Sequence, residues 1–207
     1  GLSTVETLKA ALDGGAAYIG FNFYAPSPRA VSYETAAALA ALVPPGVIKT
    51  ALFVDPQDED IAAVVDDAKI DLLQLHGKET PARVAEVSRR FERPVMKVIK
   101  LRAPSDLELA AEYYEVADRL LFDAKPPADM AGALPGGNAV SFDWRMLSGR
   151  SWPLPWMLAG GLTVENLAEA VAVTGADTVD LSSGVESEPG RKDPAKIAAF
   201  LAAAKAL

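Results

Sequence analysis

The feature that most constrains the fold is a repeated alternation of short apolar segments with helical patterns. Seven segments have the length and composition of buried strands, and a helical pattern follows nearly every one. They cover residues 18–23, 47–54, 72–75, 95–99, 119–122, 156–159 and 178–181. Such alternation is typical of βαβ units, which build a parallel sheet. The segments are apolar on both faces, as expected of strands that helices cover on both sides.

Two α/β architectures fit this pattern, a doubly wound open sheet and a closed (β/α)8 TIM barrel. No G-x-G-x-x-G motif follows the first strand, which weakens a dinucleotide-binding sheet. The barrel needs eight strands, but the chain opens on a helical pattern, so we expect the first strand to lie upstream of Gly1. The expectation is therefore a single (β/α)8-barrel domain over residues 1–207 that is incomplete at its N-terminus.

Capping patterns predict where the helices begin. Ser and Thr spacings of the capping-box type and proline at the first helical position are the strongest of these signals. The predicted starts are Ser3-Thr4-Val5-Glu6, Asp58, Thr80-Pro81, Ser105-Asp106-Leu107-Glu108, Thr163 and Asp193-Pro194.

Composition excludes several classes of function. The 207-residue chain carries a formal net charge of −8, which argues against nucleic acid or an anionic membrane surface as a partner. It contains no Cys and one His, so neither a thiolate nor a His-cluster metal site is expected. No apolar run has the length of a membrane span and no signal peptide is visible, so we expect a cytoplasmic protein.

Two turns rich in small residues predict a phosphate site. Counting an upstream strand as the first, Gly160-Gly161 follows the seventh strand and Ser182-Ser183-Gly184 follows the eighth. In TIM barrels these are the loops that commonly bind phosphate, through unhindered backbone N–H groups. The alternative is that the glycines only permit tight turns.

Polar residues at strand ends are candidates for the chemistry. Asp123 ends an apolar strand, where a carboxyl group removed from water can serve as a general acid, or it only caps a helix or loop. Gln74 and His76 share one face of a strand. For His76 we consider a proton carrier and a hydrogen-bonded wall residue, and favour the wall.

Three further polar residues have open assignments. Asp180 could orient a sugar hydroxyl or neutralise a barrel lysine such as Lys97. Arg29 could clamp a second anion through its guanidinium, or lie solvated in a loop. Lys125 and the Gly- and Pro-rich loop 124–139 could form a lid.

These segments together resemble the phosphoribosylanthranilate isomerase family. The likeness runs along essentially the whole chain, and its order and spacing are more specific than any one segment. It includes Gly20-Phe21-Asn22-Phe23-Tyr24, Ser27-Pro28-Arg29, Gln74-Leu75-His76-Gly77, Leu121-Phe122-Asp123-Ala124-Lys125, Phe142-Asp143-Trp144, Ala159-Gly160-Gly161-Leu162, Val179-Asp180-Leu181-Ser182-Ser183-Gly184-Val185-Glu186 and Pro189-Gly190 with Lys192-Asp193.

The resemblance implies an Amadori rearrangement in tryptophan biosynthesis, without cofactor or metal. N-(5-phosphoribosyl)anthranilate, a small phosphorylated substrate, would become 1-(2-carboxyphenylamino)-1-deoxyribulose 5-phosphate. Asp123 matches the family's general acid, and Arg29 matches the position facing the anthranilate. The glycine and serine turns match the family's phosphate turns. A monomer and a homodimer both remain open.

One departure from the family concerns the general base. The family's base is a Cys at the end of the first strand, and Gly1-Leu2 resembles the pair of residues directly after that Cys. We therefore expect the strand and its Cys just before Gly1. The alternative, favoured only by the absence of Cys, is a non-catalytic or other phosphate-binding barrel.

Overall fold

Six parallel strands form the sheet at the centre of the fold. The computed structural model describes residues 1–127, 129–130 and 133–207. Each strand pairs with the next along the chain, so the sheet curls in one direction into a half-barrel with helices outside. The strands are Tyr18–Asn22 (β1), Ile48–Phe53 (β2), Leu72–Leu75 (β3), Val95–Leu101 (β4), Arg119–Ala124 (β5) and Trp156–Leu158 (β6).

The predicted strand over residues 178–181 is wrong. This segment makes one isolated parallel bridge, between Leu158 and Val179. Two hydrogen bonds flank it, from Leu158 N to Thr178 O at 3.0 Å and from Asp180 N to Leu158 O at 2.8 Å. The pairing with β6 stops at this single bridge, so no ladder forms. The parallel sheet of the described residues therefore has six strands rather than the eight of a closed barrel.

Helices cover the outer face of the sheet. The α-helices are Val5–Asp13 (α1), Tyr33–Ala40 (α2), Asp58–Val65 (α3), Pro81–Phe91 (α4), Leu167–Thr174 (α5) and Pro194–Lys205 (α6). Three segments are 3₁₀ helices, Pro104–Tyr113, Trp144–Met146 and Ser183–Val185. A short antiparallel hairpin, Glu186–Glu188 (β7) and Arg191–Lys192 (β8), precedes α6. In the described part of the chain, no helix is long and apolar enough to span a membrane.

Two predicted helix starts are confirmed, and both have proline as the first helical residue. Thr80 caps α4, with its side chain accepting from Arg83 N, and Asp193 caps α6. Proline fits this position because its missing N–H would have no partner there.

The other starts are displaced by one to three residues. The cap of α1 is Thr4 rather than Ser3, since the Thr4 hydroxyl accepts from Thr7 N at 3.2 Å. Asp58 is the first residue of α3, where its charge suits the helix dipole, and Gln57 precedes it. The helix predicted from Ser105 is a 3₁₀ helix that begins at Pro104. The cap position of α5 is Asn166 rather than Thr163.

The two faces of the sheet have separate cores. The inner face holds a small cluster of Leu72, Met96, Val98, Leu121, Met157 and Ala159. The outer face packs against the helices through a much larger cluster that includes Val95 and Ile99. Because side chains alternate along a strand, Lys97 points outward, between the inward-facing Met96 and Val98.

Lys97 is therefore not a partner for Asp180, and that interpretation is wrong. Its ammonium lies 2.6 Å from Glu79 Oε2 on the outer face. Both side chains are almost fully buried.

Candidate active site

The predicted site residues converge on one pocket at the carboxyl ends of the strands. Parallel strands all end at the same rim, so residues far apart in sequence meet there. The lining includes every predicted site residue: Arg29, Gln74, His76, Asp123, Gly160, Gly161, Asp180, Ser182, Ser183 and Gly184. Asn22 and Ser27, which sequence reasoning did not single out, also line it.

Asp123 and His76 face each other in the pocket. Nε2 of His76 lies 3.2 Å from Oδ2 of Asp123, and both residues are buried. Nε2 has no partner of hydrogen-bond geometry among the described residues. Gln74 Nε2 lies 3.4 Å from Nδ1 of His76, and when it donates there, the imidazole proton is on Nε2, facing Asp123. His76 thus lies in the pocket wall in contact with the candidate acid.

The turn after β6 closes the pocket beside Asp123. Oδ1 of Asp123 accepts from Ala124 N at 2.8 Å, which fixes the carboxyl plane. Gly160 has φ +91°, and a Cβ there would lie 2.7 Å from Ala124 N and 3.2 Å from Asp123 Oδ1. Only glycine fits this close approach at positive φ. The glycine therefore does more than permit a turn, since it brings the turn's backbone against the candidate acid.

The two small-residue turns present backbone donors that no protein group uses. In the described residues, the N–H groups of Gly160, Gly161, Ser182, Ser183 and Gly184 donate to no protein acceptor. The turns also touch, because a Cβ on Gly184 would collide with the carbonyl oxygen of Leu162. Adjacent free N–H groups on a concave surface are suited to bind an anion such as phosphate.

Two side chains hold these turns in place, and sequence reasoning missed both. Asn166 donates to Gly161 O at 2.9 Å and accepts from Thr163 N at 2.8 Å. Lys192 donates to Ser182 O at 2.8 Å and to Ser182 Oγ at 2.9 Å. Lys192 stood in a segment that resembles the family but was given no role, and Asn166 had no sequence signal beyond its position a few residues after the glycine turn.

Arg29 is a buried residue of the pocket, so a solvated loop arginine is the wrong interpretation. It is 5% exposed, in the loop after β1. Its Nε lies 2.7 Å from Glu186 Oε1 and its Nη2 lies 2.8 Å from Glu186 Oε2, a bidentate pair. Nη2 also donates to Gly137 O at 3.0 Å. Glu186 was not singled out from the sequence, because 157 positions separate it from Arg29.

Asp180 also lines the pocket, two residues before the turn at Ser182. Burial raises the pKa of this carboxyl above its ordinary value, and the negative charge of Asp123 raises it further against the attraction of Lys192. The carboxyl is thus easier to protonate than an ordinary aspartate.

The described part of loop 124–139 covers the pocket, although Lys125 does not face it. Gly136 lies against the ring of His76, where a Cβ would be 2.8 Å from Cε1. Lys125 instead pairs with Asp106 at 3.1 Å on the surface. The predicted lid also includes Ala128, Ala131 and Gly132, which lie outside the described residues.

A curled parallel sheet with a buried carboxyl group and turns of unpaired backbone N–H groups at its carboxyl rim is typical of barrel enzymes that act on phosphorylated metabolites. The chain belongs to the N-(5'-phosphoribosyl)anthranilate isomerase family, whose family model matches residues 1–203. It is accordingly an isomerase of tryptophan biosynthesis. The alternative of a non-catalytic barrel is therefore wrong.

Relatives and solved structures agree with this assignment. The N-(5'-phosphoribosyl)anthranilate isomerase of Cereibacter sphaeroides is 57% identical over 205 residues, covering 99% of this chain and 96% of the relative. That of Parvibaculum lavamentivorans is 54% identical, with 99% and 95% covered. The Thermotoga maritima enzyme structure is 31% identical with a TM-score of 0.86, covering 100% and 96%.

One similar structure contains a ligand. It is a phosphoribosyl anthranilate isomerase in complex with reduced 1-(o-carboxyphenylamino)-1-deoxyribulose 5-phosphate. That protein is 30% identical to this chain with a TM-score of 0.85, and the match covers 100% of this chain and 96% of that one.

Proposed function

We propose that Asp123 is the general acid of an Amadori rearrangement carried out in this pocket. Asp123 protonates the furanose ring oxygen of N-(5-phosphoribosyl)anthranilate, the C1–O bond breaks, and the nitrogen lone pair forms a Schiff base. A base then removes the C2 proton, and the resulting enolamine tautomerises to the ketone of 1-(2-carboxyphenylamino)-1-deoxyribulose 5-phosphate. The observation that supports this role most is the burial of Asp123 against His76 and the Gly160 turn.

The substrate's two ends have separate binding groups in this proposal. The phosphate binds the free N–H groups of Gly160, Gly161, Ser182, Ser183 and Gly184. The anthranilate carboxylate binds Arg29, and the ribose hydroxyls face Asp180. Gln74 and His76 form the wall between them, with His76 in contact with the acid. No step needs a cofactor or metal, since acid–base groups alone move the protons.

The general base is proposed to come from a strand that runs ahead of Gly1 and completes an eight-stranded barrel. Leu2 N donates to Gly20 O at 3.1 Å, so the chain already runs beside the free edge of β1. A strand continuing upstream would extend this pairing, and a residue just before Gly1 would lie near the pocket. In the family this residue is a Cys.

The setting of the enzyme is also a proposal. We infer a single domain over residues 1–207 together with that strand, working in the cytoplasm as a monomer or homodimer. The net charge of −8 favours small-molecule substrates over nucleic acid or an anionic membrane. The Thermotoga maritima enzyme is described as dimeric.

Replacing Asp123 tests the acid. Asp123→Asn keeps the shape but cannot donate the proton, so kcat is expected to fall by about 10²–10⁴-fold with KM nearly unchanged. Turnover is followed by the loss of anthranilate fluorescence on incubation with N-(5-phosphoribosyl)anthranilate. Asp118→Asn, just before the amino end of the same strand, is the matched control. A kcat of Asp123→Asn equal to that of the control would remove Asp123 from this role.

A further inference from the structure

Three buried charged side chains meet behind the pocket, and we call Arg29, Glu186 and Lys192 the Glu186 cluster. Glu186 binds Arg29 through both carboxylate oxygens, at 2.7 and 2.8 Å. Its Oε1 also accepts from Lys192 Nζ at 2.7 Å. The three residues are 5%, 8% and 8% exposed, so water screens these charges little.

The charges of this cluster do not balance. Two cations share one carboxylate, which leaves one buried positive charge. Asp180 attracts Lys192, but burial makes Asp180 hold its proton more readily than an ordinary aspartate. Buried charge without a counter-charge is costly. This excess positive charge suits a site in which the bound ligand supplies the second anion.

The hydrogen bonds of Arg29 leave one nitrogen for that anion. Glu186 takes Nε and one N–H of Nη2, and Gly137 O accepts from Nη2 as well. In the described residues Nη1 makes no hydrogen bond, and it lies where a Cβ on Gly137 would be 2.5 Å away. Glu186 therefore fixes the guanidinium plane from behind while Nη1 remains available at the pocket.

Lys192, the second cation of the Glu186 cluster, holds the turn of Ser182, Ser183 and Gly184 that is the candidate phosphate site. The three N–H groups of the Lys192 ammonium have three acceptors, namely Ser182 O, Ser182 Oγ and Glu186 Oε1. Gly190 N adds a hydrogen bond to Glu186 Oε2 at 3.2 Å, which ties the β7–β8 hairpin to the same carboxylate. The position of Ser182 thus depends on Lys192, and that of Lys192 on Glu186.

We propose that Glu186 is a positioning residue that aligns both anion-binding ends of the site, the carboxylate end through Arg29 and the phosphate end through Lys192. It touches no substrate itself. The inference deepens the proposed function and rests on it for the assignment of the two ends.

The ionisation of Glu186 agrees with this geometry. Burial alone raises the pKa of its carboxyl, but hydrogen bonds from Arg29 and Lys192 outweigh burial and hold the pKa below the ordinary value. Glu186 is therefore a carboxylate throughout the neutral pH range, and both cations stay paired to it.

Glu186→Gln tests the proposal, because it keeps the size but removes the charge and one acceptor. We expect KM to rise about tenfold or more while kcat changes less than about threefold. Competitive inhibition by inorganic phosphate and by free anthranilate should both weaken. Glu188→Gln, an exposed position of the same hairpin, is the matched control and should leave all values unchanged. A purely structural role would lower the melting temperature without this split between KM and kcat.

A second variant keeps the test valid if Glu186→Gln folds poorly. Glu186→Asp retains the charge on a shorter side chain, so its KM should lie between those of the wild type and Glu186→Gln. The proposal is overturned if Glu186→Gln binds phosphate and anthranilate as the control does, or if Glu186→Asp is no better than Glu186→Gln. Failure of the proposed chemistry is distinguishable, since it appears as an unchanged kcat in Asp123→Asn.

Discussion

Two buried lysine–glutamate pairs, one on the outer face of the sheet and one beside the pocket, are built differently. On the outer face, Lys97 binds Glu79 at 2.6 Å and Gly77 O at 3.0 Å, while Glu79 accepts from Asp55 N and Gly77 N. One cation meets one anion and the hydrogen bonds are complete. The Glu186 cluster instead holds two cations on one carboxylate and leaves Arg29 Nη1 free for a ligand.

The difference separates a structural ion pair from one that serves binding. A neutral pair with complete hydrogen bonds has no group free to bind a ligand, so its loss should lower the stability of the fold. Loss of a cluster that carries excess charge beside a pocket should instead weaken substrate binding. Exposed pairs such as Lys9 with Asp13 belong to neither class, since water already screens them.

The largest effect is expected from Lys97→Met. The substitution leaves Glu79 buried without its cation, and breaking such a pair typically costs about 3–5 kcal/mol. For a chain of this size, the melting temperature should fall by on the order of 10 °C, as measured by thermal unfolding followed by circular dichroism. KM of the folded enzyme should stay near the wild-type value.

Lys9→Met is the control for that experiment, because its partner Asp13 is exposed. It should change stability by less than about 1 kcal/mol. If Lys97→Met raised KM as strongly as Glu186→Gln, the two pairs would not differ in the way the structure indicates.

An intermediate effect is expected from Arg29→Lys. An ammonium keeps the charge but cannot hold Glu186 with two nitrogens and still offer a third to the substrate. KM should rise about tenfold, equivalent to about 1.4 kcal/mol, and stability should change little because Lys192 still neutralises Glu186. Steady-state kinetics with thermal unfolding of the same sample separates these outcomes. A fall in stability without a change in KM contradicts the binding role.

The fold could be predicted from sequence where the pattern was local. Apolar runs flanked by helical patterns located the six strands, and proline after a capping residue located two helix starts. The strand over 178–181 was wrong because its composition suits a strand but it pairs with β6 through a single bridge at Val179. Strand formation there depends on a partner, which composition does not reveal.

The site could be predicted only in part, for a related reason. Glycine and serine turns and an aspartate at a strand end are visible as local signals, and they do line the pocket. Glu186 stood in a segment that resembles the family but was given no role, because its role depends on an arginine 157 positions away. Contacts across the rim of the sheet follow from the curl of all the strands together, so no window of sequence contains them.

The smallest expected effect comes from two carboxyl groups whose pKa values shift in opposite directions. Glu79 lies on the outer face of the sheet and Asp180 lies in the pocket. Burial alone raises the pKa of Glu79, but Lys97 and backbone N–H groups outweigh it and hold the pKa below 4.5. Burial raises the pKa of Asp180 above 3.8 with no comparable hydrogen bonds. The ionised Glu79 therefore stabilises the fold at neutral pH, and this contribution is lost as the pH falls below about 4.5. The ionised Asp180 destabilises the fold, increasingly so as the pH rises above about 4.

Asp180→Asn should accordingly stabilise the protein at neutral pH. The variant removes a carboxylate that is less stable in the fold than in water, so the melting temperature at pH 7 should rise by about 2–4 °C for each kcal/mol recovered. The gain should shrink toward zero as the pH falls below the ordinary pKa of aspartate, about 3.9, because the wild-type carboxyl then becomes protonated in the unfolded as well as the folded state. Thermal unfolding from pH 4 to 8 measures this trend. A gain that is independent of pH would show that shape or packing, rather than the buried charge, makes Asp180 unfavourable, and the contrast with Glu79 would then have another cause.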